Sequence, residues 1–134
     1  MKVKGTYILV VEEPREEEIK VGALGSLHFR KGFYVYVGSA LGSGGIIARI
    51  DRHIAPGKKS HWHIDYFMKS AHPVGEMHFP GKKMEECSIA HKIESLAEEK
   101  APKFGSSDCK CASHLFYFKK NPMKNNKIIK TLTV

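Results

Sequence analysis

Two short runs of β-branched and aromatic residues constrain this chain more than any other feature. Residues 4–11 alternate Tyr7, Leu9 and Val11 against Thr6, Ile8 and Val10, and residues 33–37 alternate Phe33, Val35 and Val37 against Tyr34 and Tyr36. A period of two places successive side chains on opposite faces of a strand. Between the runs lies a further extended stretch, residues 19–29, interrupted around Gly22 and Gly25, and Lys31-Gly32 gives a turn signal. These connections are too short for helical crossovers, so the strands are expected to pair antiparallel.

The rest of the chain mixes both element types. Residues 12–18, with four glutamates after Glu12 and with Pro14, read as a solvated loop. A glycine-rich loop, residues 38–45, feeds a helix over 46–54 that Pro56-Gly57 stops. A short helix is expected over 62–68, a strand over 74–79, and the longest helix over 83–100, ended by Pro102. Leu115-Phe116-Tyr117-Phe118 suggests another strand, and residues 128–134 a last β-prone run. No repeat or linker divides the 134 residues, so a single domain, 1–134, is expected.

Charge narrows the partner. Lys and Arg number 22 against 14 Asp and Glu, a formal +8. Five of the acids (Glu12, Glu13, Glu16, Glu17, Glu18) crowd one segment with Arg15, leaving 21 bases against 9 acids, about +12, elsewhere. Such a surface suits a polyanion such as nucleic acid, through phosphate contacts and counterion release; a basic protein kept soluble by its charge is the alternative. Only a five-residue apolar run follows Met1 to Lys4, and no stretch approaches the ~20 apolar residues of a membrane span. Three cysteines, an odd number, argue against a secreted disulfide framework. A cytoplasmic protein without membrane contact is expected.

The glycine loop invites a nucleotide-fold reading that its letters reject. Gly42-Ser43-Gly44-Gly45 lacks a dinucleotide fingerprint, and no Gly-Lys-Ser/Thr follows for a P-loop. A helix N-terminus that attracts an anion, or a simple turn, remains. On the following helix Ile46, Ile47, Ile50 and Ile54 form the expected core face, with Arg49 and His53 one turn apart on its flank and Arg52 directed outward. Arg49 can reach a phosphate while its stem stays packed; a snorkelling surface arginine is the alternative.

On the helix over 83–100, Ile89, Ala90, Ile93, Leu96 and Ala97 make one apolar stripe, and Glu86 falls near its middle. A carboxylate on a core-facing line is costly unless paired, protonated or bound to a cation, though a first-turn glutamate also gains from the helix dipole. His61, His63 and Asp65 have metal-like spacing, yet a histidine held by a carboxylate beside packed Trp62 is the favoured reading of any one of them. Cys109, Cys111 and His114, with Cys87 elsewhere, raise a zinc site at poor spacing; buried reduced thiols fit better.

Together Gly5-Thr6-Tyr7, Gly32 to Ala40 with Tyr36-Val37-Gly38, Arg49 to His53, His61 to Tyr66, Glu86-Cys87 and Phe104 to His114 resemble the GIY-YIG nuclease superfamily. The resemblance covers nearly the whole chain and is nearest to an uncharacterised, mainly archaeal branch sometimes fused to base-excision DNA glycosylases. It implies an α+β domain, a small antiparallel sheet flanked by helices, with the site on one face. It also implies a Mg²⁺- or Mn²⁺-dependent endonuclease that cuts DNA, in repair or processing. Tyr7 and Tyr36 would line the site, Arg49 would contact the scissile phosphate with His53 in the catalytic group, and Glu86 would bind the metal. Lys58, Lys59, Lys119 and Lys120 are the expected DNA contacts. Thr6 and Val37 replace isoleucines of the motif, and the segment between the tyrosines is longer than the family pattern. The late asparagine has no clear counterpart; Asp108, Ser107 and His114 are the candidates for its place. The competing readings are a non-catalytic nucleic-acid-binding module on the same fold and a zinc-stabilised interaction protein.

Overall fold

The computed structural model describes residues 3–40, 44–55, 63–81, 86–101, 104 and 113–133. Its strands in chain order are β1 (Gly5–Glu13), β2 (Glu17–Lys20), β3 (Ser26–Phe29), β4 (Gly32–Ala40), β5 (His72–Pro80), β6 (Glu99–Lys100) and β7 (Leu115–Phe118). The helices are α1 (Gly45–Ile54), α2 (His63–Phe67), α3 (Glu86–Glu94) and α4 (Asn126–Thr133). Five strands form one sheet in the order β5-β1-β4-β7-β6, and every neighbouring pair is antiparallel. β2 and β3 form a separate hairpin. The expected α+β architecture, a small antiparallel sheet with helices about it, is the one observed.

The alternation of β1 and β4 divides the core in two. Tyr7, Leu9, Val11, Tyr34 and Tyr36, with Leu115 and Tyr117 of β7, face a cluster built with Ile46 and Ile50 of α1, Ile64 and Phe67 of α2, Phe29 of the hairpin and Phe104. Ile8, Val10, Val35, Val37, Phe116 and Phe118 face the other way, onto Ile89, Ala90 and Ile93 of α3 and Ile128 of α4. A strand covered on both faces must read as a nearly continuous apolar run, which is why residues 6–11 carry no charge.

Four expectations fail, each for a local reason. β1 continues through Glu13, whose side chain is fully buried rather than solvated. It pairs with Gly32, and the Ser70 hydroxyl donates to its carboxylate at 3.2 Å. The helix expected over 83–100 has ended by Glu94; the chain then peels off so that Glu98 and Ala101 amides reach the Tyr117 and Leu115 carbonyls, and Glu99–Lys100 becomes the edge strand β6. The β-prone C-terminal run is helix α4, because Asn125 caps it: its side-chain oxygen accepts from the amides of Lys127 at 3.0 Å and Ile128 at 3.3 Å. On α1, Ile47 and Ile54 are 60% and 43% exposed, so only Ile46 and Ile50 of the expected face are core.

No helix among the described residues is long and apolar enough to cross a membrane.

Candidate functional site

In the β1–β4 ladder Tyr7 stands opposite Gly38, and Leu9 opposite Tyr36. The tyrosines are therefore diagonal neighbours on one face, with ring centroids 6.4 Å apart. Gly38 makes their arrangement possible, since a Cβ there would collide with the Tyr7 phenol. α1 lies over this pair. It enters through Gly45, at φ +74°, a conformation suited to glycine, and the Ile46 amide donates to the Val3 carbonyl at 2.7 Å. One N–H of the supposed anion-binding helix start is therefore committed to the chain itself.

The rotation of α1 that exposes Ile47 and Ile54 turns His53 inward. Its Nε2 lies 2.6 Å from the Tyr7 hydroxyl oxygen, and its ring sits 5.8 Å from both tyrosine rings. On the other edge of the imidazole, Nδ1 is 3.6 Å from Oδ1 of Asp65 on α2. Asp65 in turn accepts from Arg52 Nη1, 3.0 Å from each of its oxygens. Tyr7, His53 and Asp65 are each only 1% exposed. Arg52, expected to point outward, instead ties α1 to α2. Arg49, one turn before His53, donates to the Ser39 carbonyl at 3.1 Å, at the end of β4 that carries Tyr36.

Burial drives the His53 pKa down to about 4, against the attraction of Asp65 and with the repulsion of Arg49 and Arg52. The imidazole is therefore neutral near pH 7, one nitrogen a donor and the other an acceptor. The neutral imidazole places a ring nitrogen at hydrogen-bond distance from the Tyr7 phenol, beside a second tyrosine and an arginine.

The remaining candidates divide. Glu86 opens α3, the helix whose apolar stripe covers the sheet face opposite the tyrosines; its side chain lies outside the described residues. The neighbouring Cys87 Sγ is 4.0 Å from His114 Nε2, and the His114 carbonyl accepts from the Val37 amide at 2.9 Å. The first turn of α3 is thereby moored near the Tyr36–Gly38 end of β4. The His63 ring packs on Phe104 at 5.5 Å, which packs on Tyr36 at 6.2 Å, and partial burial lowers its pKa. Lys119 and Lys120 are far from the tyrosines. The register Phe33↔Phe118 and Tyr36↔Leu115 puts them past the opposite end of the sheet. There they border a cleft of about 620 Å³ with Lys124, Phe118 and Ile128. Lys58, Lys59, His61, Asp108, Ser107, Cys109 and Cys111 lie outside the described residues.

Among the described residues no group of three or more His, Cys, Asp and Glu is arranged to hold a metal. A hard divalent cation takes carboxylate, water and phosphate oxygens, and the side chain of Glu86, the expected ligand, lies outside the described residues. The thiol and imidazole of Cys87 and His114 would suit a softer ion.

Asp65 as the partner of both Arg52 and His53 is not visible in the sequence. Arg52 and Asp65 lie thirteen residues apart on different helices, so no periodic pattern joins them. The one signal was Asp65 itself, a carboxylate between Ile64 and Phe67 on an otherwise apolar turn.

Among curated proteins and among solved structures, no match to this chain is found. A family model does match, over residues 6–133. All of the five-stranded sheet but Gly5, both covering layers and the Tyr7–His53–Asp65 cluster fall within that span, and the chain belongs to the family described as domain of unknown function DUF123.

Proposed function

We propose that this chain is a divalent-metal-dependent endonuclease of the GIY-YIG type that hydrolyses a phosphodiester bond in DNA. The observation that carries the reading is the buried 2.6 Å contact between the Tyr7 hydroxyl and His53 Nε2, beside Tyr36 and Arg49. A phenol with its ordinary pKa near ~10 is a poor base at neutral pH, and an acceptor on its proton is what it lacks. In the proposed step a water oxygen bonds to phosphorus as the P–O bond to the leaving nucleotide breaks. The water proton passes to Tyr7, the Tyr7 proton to His53 Nε2, and the leaving oxygen takes a proton from solvent. Tyr36, beside Tyr7 on the same sheet face, orients the phosphate. Arg49, at the rim, offsets charge on the non-bridging oxygens. A cation on Glu86 would supply further neutralisation of that charge. The net positive charge outside the glutamate segment supports a polyanionic substrate.

The test is cleavage of nicked, branched, damaged and single-stranded DNA with Mg²⁺ or Mn²⁺, by the wild-type chain and by Glu86→Gln. Metal-dependent cutting that falls ~10²-fold or more in the variant, with DNA binding kept or improved, is the expected result. Binding without cutting on every substrate would leave a nucleic-acid-binding module. A variant as fast as wild type would move the metal away from Glu86.

A further inference from the structure

Asp65 is a buried carboxylate with no part in the proton transfer itself. It is 1% exposed, with Arg52 Nη1 at 3.0 Å from both oxygens and His53 Nδ1 at 3.6 Å from Oδ1. A guanidinium only donates, so the Asp65 oxygens act here as acceptors in an ionised carboxylate. The imidazole edge facing that carboxylate must then be the edge that carries the N–H, because an acceptor nitrogen set against it would be repelled. A neutral ring has a single N–H, so Nε2 on the far edge is left with its lone pair, aimed at the Tyr7 hydroxyl at 2.6 Å. Polarity fixed at Arg52 thus propagates through Asp65 and His53 to the phenol.

We infer that Asp65, anchored by Arg52, is a positioning residue that holds His53 as the Nδ1–H tautomer, so that Nε2 accepts the Tyr7 proton. Among the described residues the charged and titratable groups around the ring are Asp65, Arg52, Arg49, Tyr7 and Tyr36; of these Asp65 faces Nδ1 as an acceptor. This deepens the proposed nuclease reading and rests on it for its purpose, although the tautomer itself is independent of any activity. A carboxylate that only cross-linked α1 to α2 would stabilise the fold without selecting a tautomer.

The experiment is ¹⁵N NMR of the histidine rings in the wild-type chain and in Asp65→Asn, near pH ~7, with DNA cleavage measured in parallel. The wild type should show His53 protonated at Nδ1. In Asp65→Asn, Arg52 keeps the amide oxygen, so the amide NH₂ is presented to the ring, Nδ1 becomes the acceptor and the proton moves to Nε2. Cleavage should then fall ~10²-fold or more, because Tyr7 has lost its acceptor. A wild-type His53 protonated at Nε2 overturns the inference, and so does the same tautomer in both proteins. If Asp65→Asn does not fold, the wild-type spectrum alone decides. The expected tautomers in a chain that cuts no DNA would instead sink the nuclease reading and leave the positioning of His53 intact.

Discussion

The two faces of the central sheet are built from the same two strands and do opposite things. The face under α3 and α4 is lined by Ile8, Val10, Val35, Val37, Ile89, Ile93 and Phe118, an apolar layer. The face under α1 and α2 also has an aromatic and aliphatic core, yet it buries Tyr7, His53, Asp65 and Glu13 as well. Burying polar groups costs free energy unless they are partnered, so this face depends on the Tyr7–His53, Arg52–Asp65 and Ser70–Glu13 contacts. The comparison teaches that chemistry and scaffold are separated by side-chain parity along β1 and β4, odd positions of β1 and even positions of β4 against the rest.

The largest expected effect breaks the comparison directly. Tyr7→Phe should lower DNA cleavage ~10²-fold or more and cost about 1–3 kcal/mol of unfolding free energy, since the ring stays packed but the buried His53 Nε2 loses its partner. Ile93→Ala should instead cost ~2–5 kcal/mol of unfolding free energy with unchanged cleavage per folded molecule. Denaturant titration and single-turnover cleavage on both variants check this, and matching profiles would erase the division between faces.

A smaller effect is expected in pH. Glu13 is raised from 4.5 to about 7, chiefly by burial and then by the neighbouring Glu17 carboxyl. The folded state binds that proton more tightly than the unfolded one, so its contribution is full below 4.5 and is lost as pH rises through about 7. His53, lowered from 6.5 to about 4, has the opposite sign: its contribution is full above 6.5 and is lost as pH falls through about 4. Between 4.5 and 6.5 the two oppose each other. Glu13→Gln should therefore steepen the rise of melting temperature with pH in that window, read by circular dichroism; an unaltered slope would deny Glu13 its proton.

The smallest effect concerns the far end of the scaffold face. Replacing Lys119 and Lys120 by alanine should flatten the salt dependence of DNA affinity by at most about 0.9 per lost phosphate contact, leaving the rate at saturation unchanged. A rate loss at saturating DNA would mean that this end communicates with the tyrosines.

Much of this was legible in the residues. The period-two runs gave β1, β4 and their faces, because strand geometry leaves side chains no choice of side. Arg49 and His53, one turn apart, were legible as a pair by helical phase. The Arg52–Asp65 contact was not, because tertiary contacts between helices leave no mark in local spacing. Glu13 sits among glutamates that read as solvated, and its ladder partner Gly32 and the Ser70 contact place it in the interior. At residues 126–133, β-branched residues argued for a strand, and the Asn125 cap outweighed them.

The sheet register has a consequence for how the molecule reaches its native state. Gly5 pairs with both Ala40 and Pro80, and Phe33 pairs with Phe118. No two neighbouring strands of the five-stranded sheet are joined by a tight turn, whereas β2 and β3 form a local hairpin outside it. A hairpin closes in ~1–10 μs, while sheets of non-local pairings assemble in milliseconds to seconds because each long loop must lose its freedom first. The strands that carry Tyr7 and Tyr36 thus belong to the slow part of the folding reaction, and the two rings meet only after distant segments have found one another.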